Sequence, residues 1–282
     1  MEDKNAVTKV LSANQKVHAF LAESGEYEKS PHFRPENKEK VSSIIQQLCS
    51  RLEHRETLLD LGCGTGFILS LGHPYFKNVI GVDITDEMMQ KVDLSPGNIQ
   101  VHKCVAENTP FKDSSIDMVT AYSFLDHLAD YSDVLKESYR LLKKGGIFYA
   151  DLNPNRAFIN EMENLLTRIE LQSLSPLLKR EVVGALDNGA YYSEEFGLDA
   201  KLLQEAEPGK TINKGFDARS VEELAKNIGF SSVEIEYEWF VDQGRWINEK
   251  KVGSAEVIES YLFSLLPSTA RYFKYLRFIF VK

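Results

Sequence analysis

From residue 57 onward the chain alternates between short apolar runs and longer amphipathic stretches, and that alternation predicts its layout. Residues 57–62, 78–84, 99–104, 116–122 and 147–152 are apolar runs of strand length. Between them lie the helical patterns 66–71, 86–92 and 132–144. The last carries Val134, Leu135, Leu141 and Leu142 on its apolar side and Gly145-Gly146 as its stop. Strands separated by helical patterns predict a parallel sheet with helices on both faces. Two helices precede this block. One spans 5–24, with Val10, Val17, Phe20 and Leu21 as a broken apolar face; the other spans 36–52, with Val41, Ile44, Ile45 and Leu48 on one side.

Beyond residue 153 the period changes. Ile159, Met162, Leu165, Leu166 and Ile169 have helical spacing, Leu177, Val182, Val183 and Leu186 suggest a second helix, and Tyr191, Tyr192 and Phe196 follow. This stretch is too long for a simple connection and reads as an insertion. The main pattern resumes at Ser220, which with Glu223 resembles a capping box. Val221, Leu224, Ala225 and Ile228 form the buried face there, and Gly229 ends the helix. A strand over 232–241, a helix over 255–266 and a last strand over 275–281 complete the chain, the two strands forming an antiparallel pair at the sheet edge. The expected fold is α/β: a doubly wound, mostly parallel, Rossmann-like sheet of seven strands with a helical insertion acting as a cap. Residues 1–55 would be a helical arm or lid, 56–153 and 216–282 the principal domain, and 154–215 the inserted cap.

Composition narrows the setting. The 282 residues are 43% hydrophobic and 27% charged, which supplies a core without staples. The net charge of -9 argues against a nucleic-acid partner. Cys49, Cys63 and Cys104 are odd in number and lack metal spacing, which suits a reducing, cytoplasmic compartment. The first ten residues have no signal-peptide core, and no apolar run is long enough for a membrane span. His18, His32, His54, His73 and His102 are not spaced as metal ligands, so no metal site is expected.

The strongest chemical signal is Leu58-Leu59-Asp60-Leu61-Gly62-Cys63-Gly64-Thr65-Gly66, which follows a strand and opens a helix. Gly62 and Gly64 let the backbone approach a ligand closely, and Gly66 permits tight helix packing. The spacing is GxGxG, not the GxGxxG of most dinucleotide folds. Asp60, two residues before the first glycine, would repel a pyrophosphate and attract a cationic sulfonium with a free amino group. This favours S-adenosylmethionine over NAD; the other role open to Asp60 is bonding to amides of its own turn. Asp83 ends the second strand, where a carboxylate can accept from both ribose hydroxyls or cap the next helix.

Two further blocks follow: Val105-Ala106-Glu107-Asn108-Thr109-Pro110-Phe111 at the end of the third strand, and Tyr122-Ser123-Phe124-Leu125-Asp126-His127-Leu128 after the fourth. With the glycine turn and Val82-Asp83, in this order, they resemble class I S-adenosylmethionine-dependent methyltransferases of the small-molecule, methyltransferase type 11-like branch. The resemblance is close over 57–152 and loose over 218–241. Lys144 replaces the usual proline of the "LKPGG" pattern, and Asn108-Thr109 varies the polar-leucine pair of the block after the third strand. The resemblance implies that Asp60, Gly62, Cys63, Gly64 and Gly66 hold the methionine part of the cofactor. It places Asp83 on the ribose, Ile84, Ala106 and Glu107 around the adenine, and Tyr122 or Ser123 at the reacting centre. It also implies an aromatic from the N-terminal arm, with Tyr27 as the candidate and Arg34 as a partner for the cofactor carboxylate.

The implied reaction is methyl transfer to an oxygen or nitrogen of a small or medium-sized molecule. An oxygen acceptor also needs a base. His127, just past the fourth strand, is the first candidate and Asp126 the second; a purely structural His127 is the other reading. Asn153 lies at a strand's carboxyl end, where ligands bind in such sheets. Tyr191, Tyr192 and Trp239, with Phe196 and Trp246, suggest an apolar or ring-bearing acceptor, and serve equally as core or as a homodimer surface. The rival functions are a methyltransferase acting on tRNA or protein, a non-catalytic S-adenosylmethionine-binding protein, and a nucleotide-dependent oxidoreductase.

Overall fold

The computed structural model describes residues 2–29, 33–186, 189, 193 and 197–282. Among these, seven strands form one sheet: β1 (Thr57–Leu61), β2 (Asn78–Asp83), β3 (Ile99–Lys103), β4 (Ile116–Tyr122), β5 (Leu142–Pro154), β6 (Ser232–Phe240) and β7 (Phe273–Val281). Their order is β3-β2-β1-β4-β5-β7-β6. The first five run parallel, and β7 lies antiparallel between β5 and β6. The sheet is therefore the doubly wound, mostly parallel one that the alternation predicts, with the antiparallel pair at one edge.

Both faces of the sheet are covered, which is why its central strands read as continuous apolar runs rather than alternating ones. Leu59 of β1, Val119 of β4 and Phe148 of β5 pack into one core layer; Leu58, Met118 and Tyr149 pack into the other. Helices α2 (Pro35–Ser50) and α3 (Phe67–Gly72) cover the Leu58 side, and the short α4 (Asp86–Met89) follows β2. Helix α5 (Ser132–Leu141) and the helix Ala218–Ile228 cover the opposite side.

Several expected boundaries move, and two of the changes have a plain physical cause. α5 ends at Leu141, not at Lys144, because Leu142 is fully buried and already pairs with Ile116 of β4. The glycines lie inside the start of β5 instead. The helix 218–228 is capped by Asp217, whose carboxylate accepts from the Ser220 N–H and hydroxyl, both at 2.8 Å. Glu223 pairs with Arg219 at 2.9 Å rather than closing a capping box.

The chain winds outward from β1 through β2 to β3, then crosses back to lay β4 on the other side of β1. A crevice opens at the carboxyl ends of β1 and β4, the position where ligands bind in such sheets. Helix α1 (Glu2–Ser24) lies over this edge. Its Ala13 and Val17 pack on Leu203 and Ala206 of the helix Ala200–Ala206. Asn14 donates to the His127 carbonyl and Gln15 to the Ile84 carbonyl, each at 3.0 Å. Helices α6 (Arg156–Leu166) and α7 (Pro176–Leu186) join through Phe158, Met162, Val182 and Ala185. Asn155 fixes the start of this helical segment: it accepts from the Ala157 N–H at 3.0 Å and donates to the carbonyls of Ala270 and Phe273.

One buried ionic network holds β5, β6 and β7 together. Arg277, 5% exposed, donates to Asp151 at 2.9 Å and Glu236 at 2.7 Å and pairs with Glu238. Lys40 of α2 reaches the same Glu238 at 2.9 Å. Removing one member of a buried ionic network leaves the others uncompensated, which costs about 3–5 kcal/mol. Arg277→Leu is therefore expected to lower the urea midpoint of unfolding by that order of stability; an unchanged midpoint would contradict the assigned role.

Candidate functional site

β1 ends where only left-handed backbone continues the chain into α3. Gly62, Gly64 and Gly66 have φ of 67°, 51° and 89°, a region that side chains with a Cβ resist. The turn is fastened to the end of β2 by Asp83. Its carboxylate accepts from the Gly64 N–H and from the Thr85 N–H, both at 2.9 Å. Asp60 sits behind the turn at 2% exposure and takes the Thr120 hydroxyl at 2.6 Å. Burial, with the Asp83 charge adding to it and the Thr120 bond opposing it, pushes the Asp60 carboxyl up to about 7. Burial also raises Asp83 and Glu107. The neighbourhood is thus a set of carboxylates that a cation would relieve.

A cavity opens in front of this turn. Gly62, Gly64, Asp83 and Ile84 line one side, Ala106 and Glu107 another, and Tyr122, Ser123 and His127 a third. α1 closes it with Leu11, Asn14 and His18, followed by Tyr27. The rings of Phe124 and Tyr27 rest on the glycines: a Cβ at Gly62 would lie 2.1 Å from Phe124, and one at Gly64 3.0 Å from the Tyr27 hydroxyl. They narrow the cavity to about 70 Å³.

A second cavity of about 140 Å³ adjoins it, and Ser123 and His127 line both. Asp126, Glu207, Lys210 and Lys274 give it its charges; Leu152, Phe158 and Ile159 are among its apolar walls. Ser123 and Leu152 carry φ of 50° and 58°, backbone strain of the kind that collects at functional sites. The His127 Nδ1 lies 3.0 Å from the Ala206 carbonyl. A carbonyl only accepts, so Nδ1 carries the proton and the Nε2 lone pair is available in the neutral ring. Burial alone would lower the His127 pKa, but Asp126, Glu207 and the Ala206 carbonyl together raise it. His18 packs edge-on to His127, 5.0 Å between ring centroids, and burial drives its pKa down to about 3, so it stays neutral.

Most of the residues singled out in the sequence meet at these two cavities, with exceptions. Asp60, Cys63 and Gly66 lie behind the lining: Cys63 is buried, and a Cβ at Gly66 would meet Val92 at 3.1 Å. Asn153 is buried in β5, donates to the Leu276 carbonyl at 3.1 Å and lines neither cavity. Arg34 is exposed ahead of α2, and Trp239 is 37% exposed on the edge strand β6; neither reaches the cavities. Tyr191 and Tyr192 lie outside the described residues. Sequence reasoning missed Asn14, Glu207, Lys210 and Lys274. Leu11, Asn14 and His18 share one face of a helix by their spacing, and a polar pair on that face was the available signal.

Comparisons with known proteins fall on the same segment. The family described as methyltransferase domain matches residues 59–150. The chain is 31% identical over 141 residues to the uncharacterized methyltransferase YcgJ of Bacillus subtilis, covering 46% of this chain and 54% of that protein, so it spans about half the relative's length. It is 31% identical over 187 residues to a demethylmenaquinone methyltransferase of Lactococcus lactis, covering 63% of this chain and 67% of that protein. The crystal structure of YcgJ aligns with a TM-score of 0.50 at 17% identity, over 84% of this chain and 97% of that one, a likeness of fold. A methyltransferase of Archaeoglobus fulgidus does so equally, at 19% identity over 87% and 94%. Sheet order and glycine turn together define a Rossmann-like transferase domain. The chain belongs to the class I S-adenosylmethionine-dependent methyltransferases.

The buried Asp60 yields a pH test. Its folded pKa, about 7, lies above its ordinary 3.8. The folded state therefore binds the extra proton between those values, and the stability that gives is lost as pH rises through 7. Asp60→Asn keeps a partner for Thr120 and removes the charge. The variant without ligand should melt a few degrees above the wild type at pH 8, and by a clearly smaller margin at pH 5. Equal differences at both pH values in thermal melts would refute this.

Proposed function

We propose that this protein transfers the methyl group of S-adenosylmethionine to an oxygen or nitrogen of a small or medium-sized molecule bound in the second cavity. The observation that carries this reading is the sharing of Ser123 and His127 by the two cavities. S-adenosylmethionine supplies an electrophilic methyl on a sulfonium whose sulfur leaves neutral. In this reading Asp60, Gly62, Cys63, Gly64 and Gly66 form the cradle for its methionine end, and Asp83 takes the ribose. One Asp83 oxygen accepts the Gly64 amide and the other the Thr85 amide, and the residue lines the cavity. Ile84, Ala106 and Glu107 flank the adenine. The acidic surroundings favour a cationic ligand. Ligand clefts usually measure about 300–1,000 Å³, so Phe124 and Tyr27 must turn off the glycines to admit it.

The acceptor side follows from the residues of the second cavity. His127 takes the acceptor's proton at Nε2, and the adjacent carboxylates of Asp126 and Glu207 stabilise the imidazolium that results. The arm 1–55 and the insertion 154–215 roof the two cavities. A non-catalytic binding protein would have a filled acceptor side; the open 140 Å³ cavity favours an enzyme. A tRNA acceptor would call for a cationic surface, whereas Asp126 and Glu207 offset Lys210 and Lys274 here.

Calorimetric titration tests the reading. S-adenosylmethionine and S-adenosylhomocysteine should bind the wild type, and Asp83→Ala should weaken both at least about tenfold, the loss of a charge-assisted hydrogen bond. NAD should not bind. Preference for NAD, or no binding of either sulfur compound, would overturn it.

A further inference from the structure

We infer that the second cavity selects a small zwitterionic acceptor, with the acceptor's ammonium on Asp126 and its acid group on Lys274. The inference rests on the methyltransferase reading for the word acceptor, but its own observations are the charges of the cavity.

Asp126 is 7% exposed, and its Oδ1 has no hydrogen-bond partner among the described residues. Buried carboxylate oxygens are rarely left without a donor, and this one belongs to a cavity-lining residue. The close packing beneath it is deliberate in geometry: a Cβ at Gly209 would lie 2.6 Å from the Asp126 Cα, so the segment Pro208–Thr211 presses directly on the Asp126 backbone and brings Glu207 and Lys210 to the same cavity. Glu207 and Lys210 form a loose pair with each other at 3.6 Å. That leaves Lys274. Its ammonium lies 5.1 Å from the Tyr275 ring centroid and within the field of Glu181, and among the described residues no carboxylate stands at ion-pair distance from it.

Among the described residues the cavity therefore holds one carboxylate oxygen lacking a donor and one ammonium with no carboxylate at ion-pair distance. A simple amine would satisfy the first and leave Lys274 without a close anion; a simple acid would do the reverse. A molecule with both groups satisfies both at once, and the volume of about 140 Å³ suits something of amino-acid size. Phe158, Ile159 and Ala185 supply walls for its carbon skeleton.

Saturation-transfer NMR on the full chain with S-adenosylhomocysteine tests this without turnover. The probes are glycine, L-alanine, L-serine, β-alanine and aminomethylphosphonate, set against propylamine, ethanolamine, propionate and propanol. Zwitterions should give the signals, and both Asp126→Asn and Lys274→Met should weaken them at least tenfold. S-adenosylhomocysteine binding, read in the same samples, reports that each variant is folded. Equal signals from propylamine or propionate, no signal from any zwitterion, or zwitterion binding unchanged in either variant would overturn the inference. If S-adenosylhomocysteine binds while the zwitterions fail, only the inference falls; if S-adenosylhomocysteine fails on the wild type, the underlying methyltransferase reading falls instead.

Discussion

Strand β1 has to hand the chain to α3 through a turn that only glycine makes comfortably, and the lining of the cofactor cavity is registered against that turn. Its position is set by β2 and β4 on either side of β1, and its shape by the Gly64 amide that Asp83 holds at 2.9 Å. With no Cβ on Gly62 or Gly64, other groups can approach the backbone closely. In the protein alone those groups are the Phe124 ring at Gly62 and the Tyr27 hydroxyl at Gly64.

Charge is the second organising feature. Asp60 is buried and Asp83 nearly so, and among the described residues neither makes an ion pair, which is an unfavourable arrangement for the protein alone and a favourable one for a cation. The adjoining cavity has a mixed character, with carboxylates and lysines on a partly apolar wall. His127 stands at the junction, its tautomer fixed by the Ala206 carbonyl and its cationic form supported by Asp126 and Glu207. A proton-accepting group between two adjoining cavities suits an acceptor that must lose a proton as it is attacked.

The sheet was legible because both of its faces are buried, so each central strand is an apolar run bounded by polar or glycine residues. The glycine turn, Asp83, Ala106-Glu107 and Ser123-His127 were legible because they follow strands at fixed places along the chain. Boundaries governed by tertiary packing were not: Leu142 leaves its helix to pair with β4, and Asp217 outcompetes Ser220 as a cap. The second cavity was least legible, since Glu207, Lys210 and Lys274 come from distant segments that only the fold brings to Asp126 and His127. Asn153 and Trp239 drew attention by residue type and position, but Asn153 is spent on a strand contact and Trp239 sits at the sheet edge.

The most direct test of the account is a crystal structure with S-adenosylhomocysteine bound. The account predicts the thioether sulfur between the Gly62–Gly64 turn and Ser123, facing the opening beside His127 into the second cavity, with Phe124 and Tyr27 displaced from the glycines. A sulfur that faces away from His127, or a ligand seated elsewhere on the sheet, would contradict it.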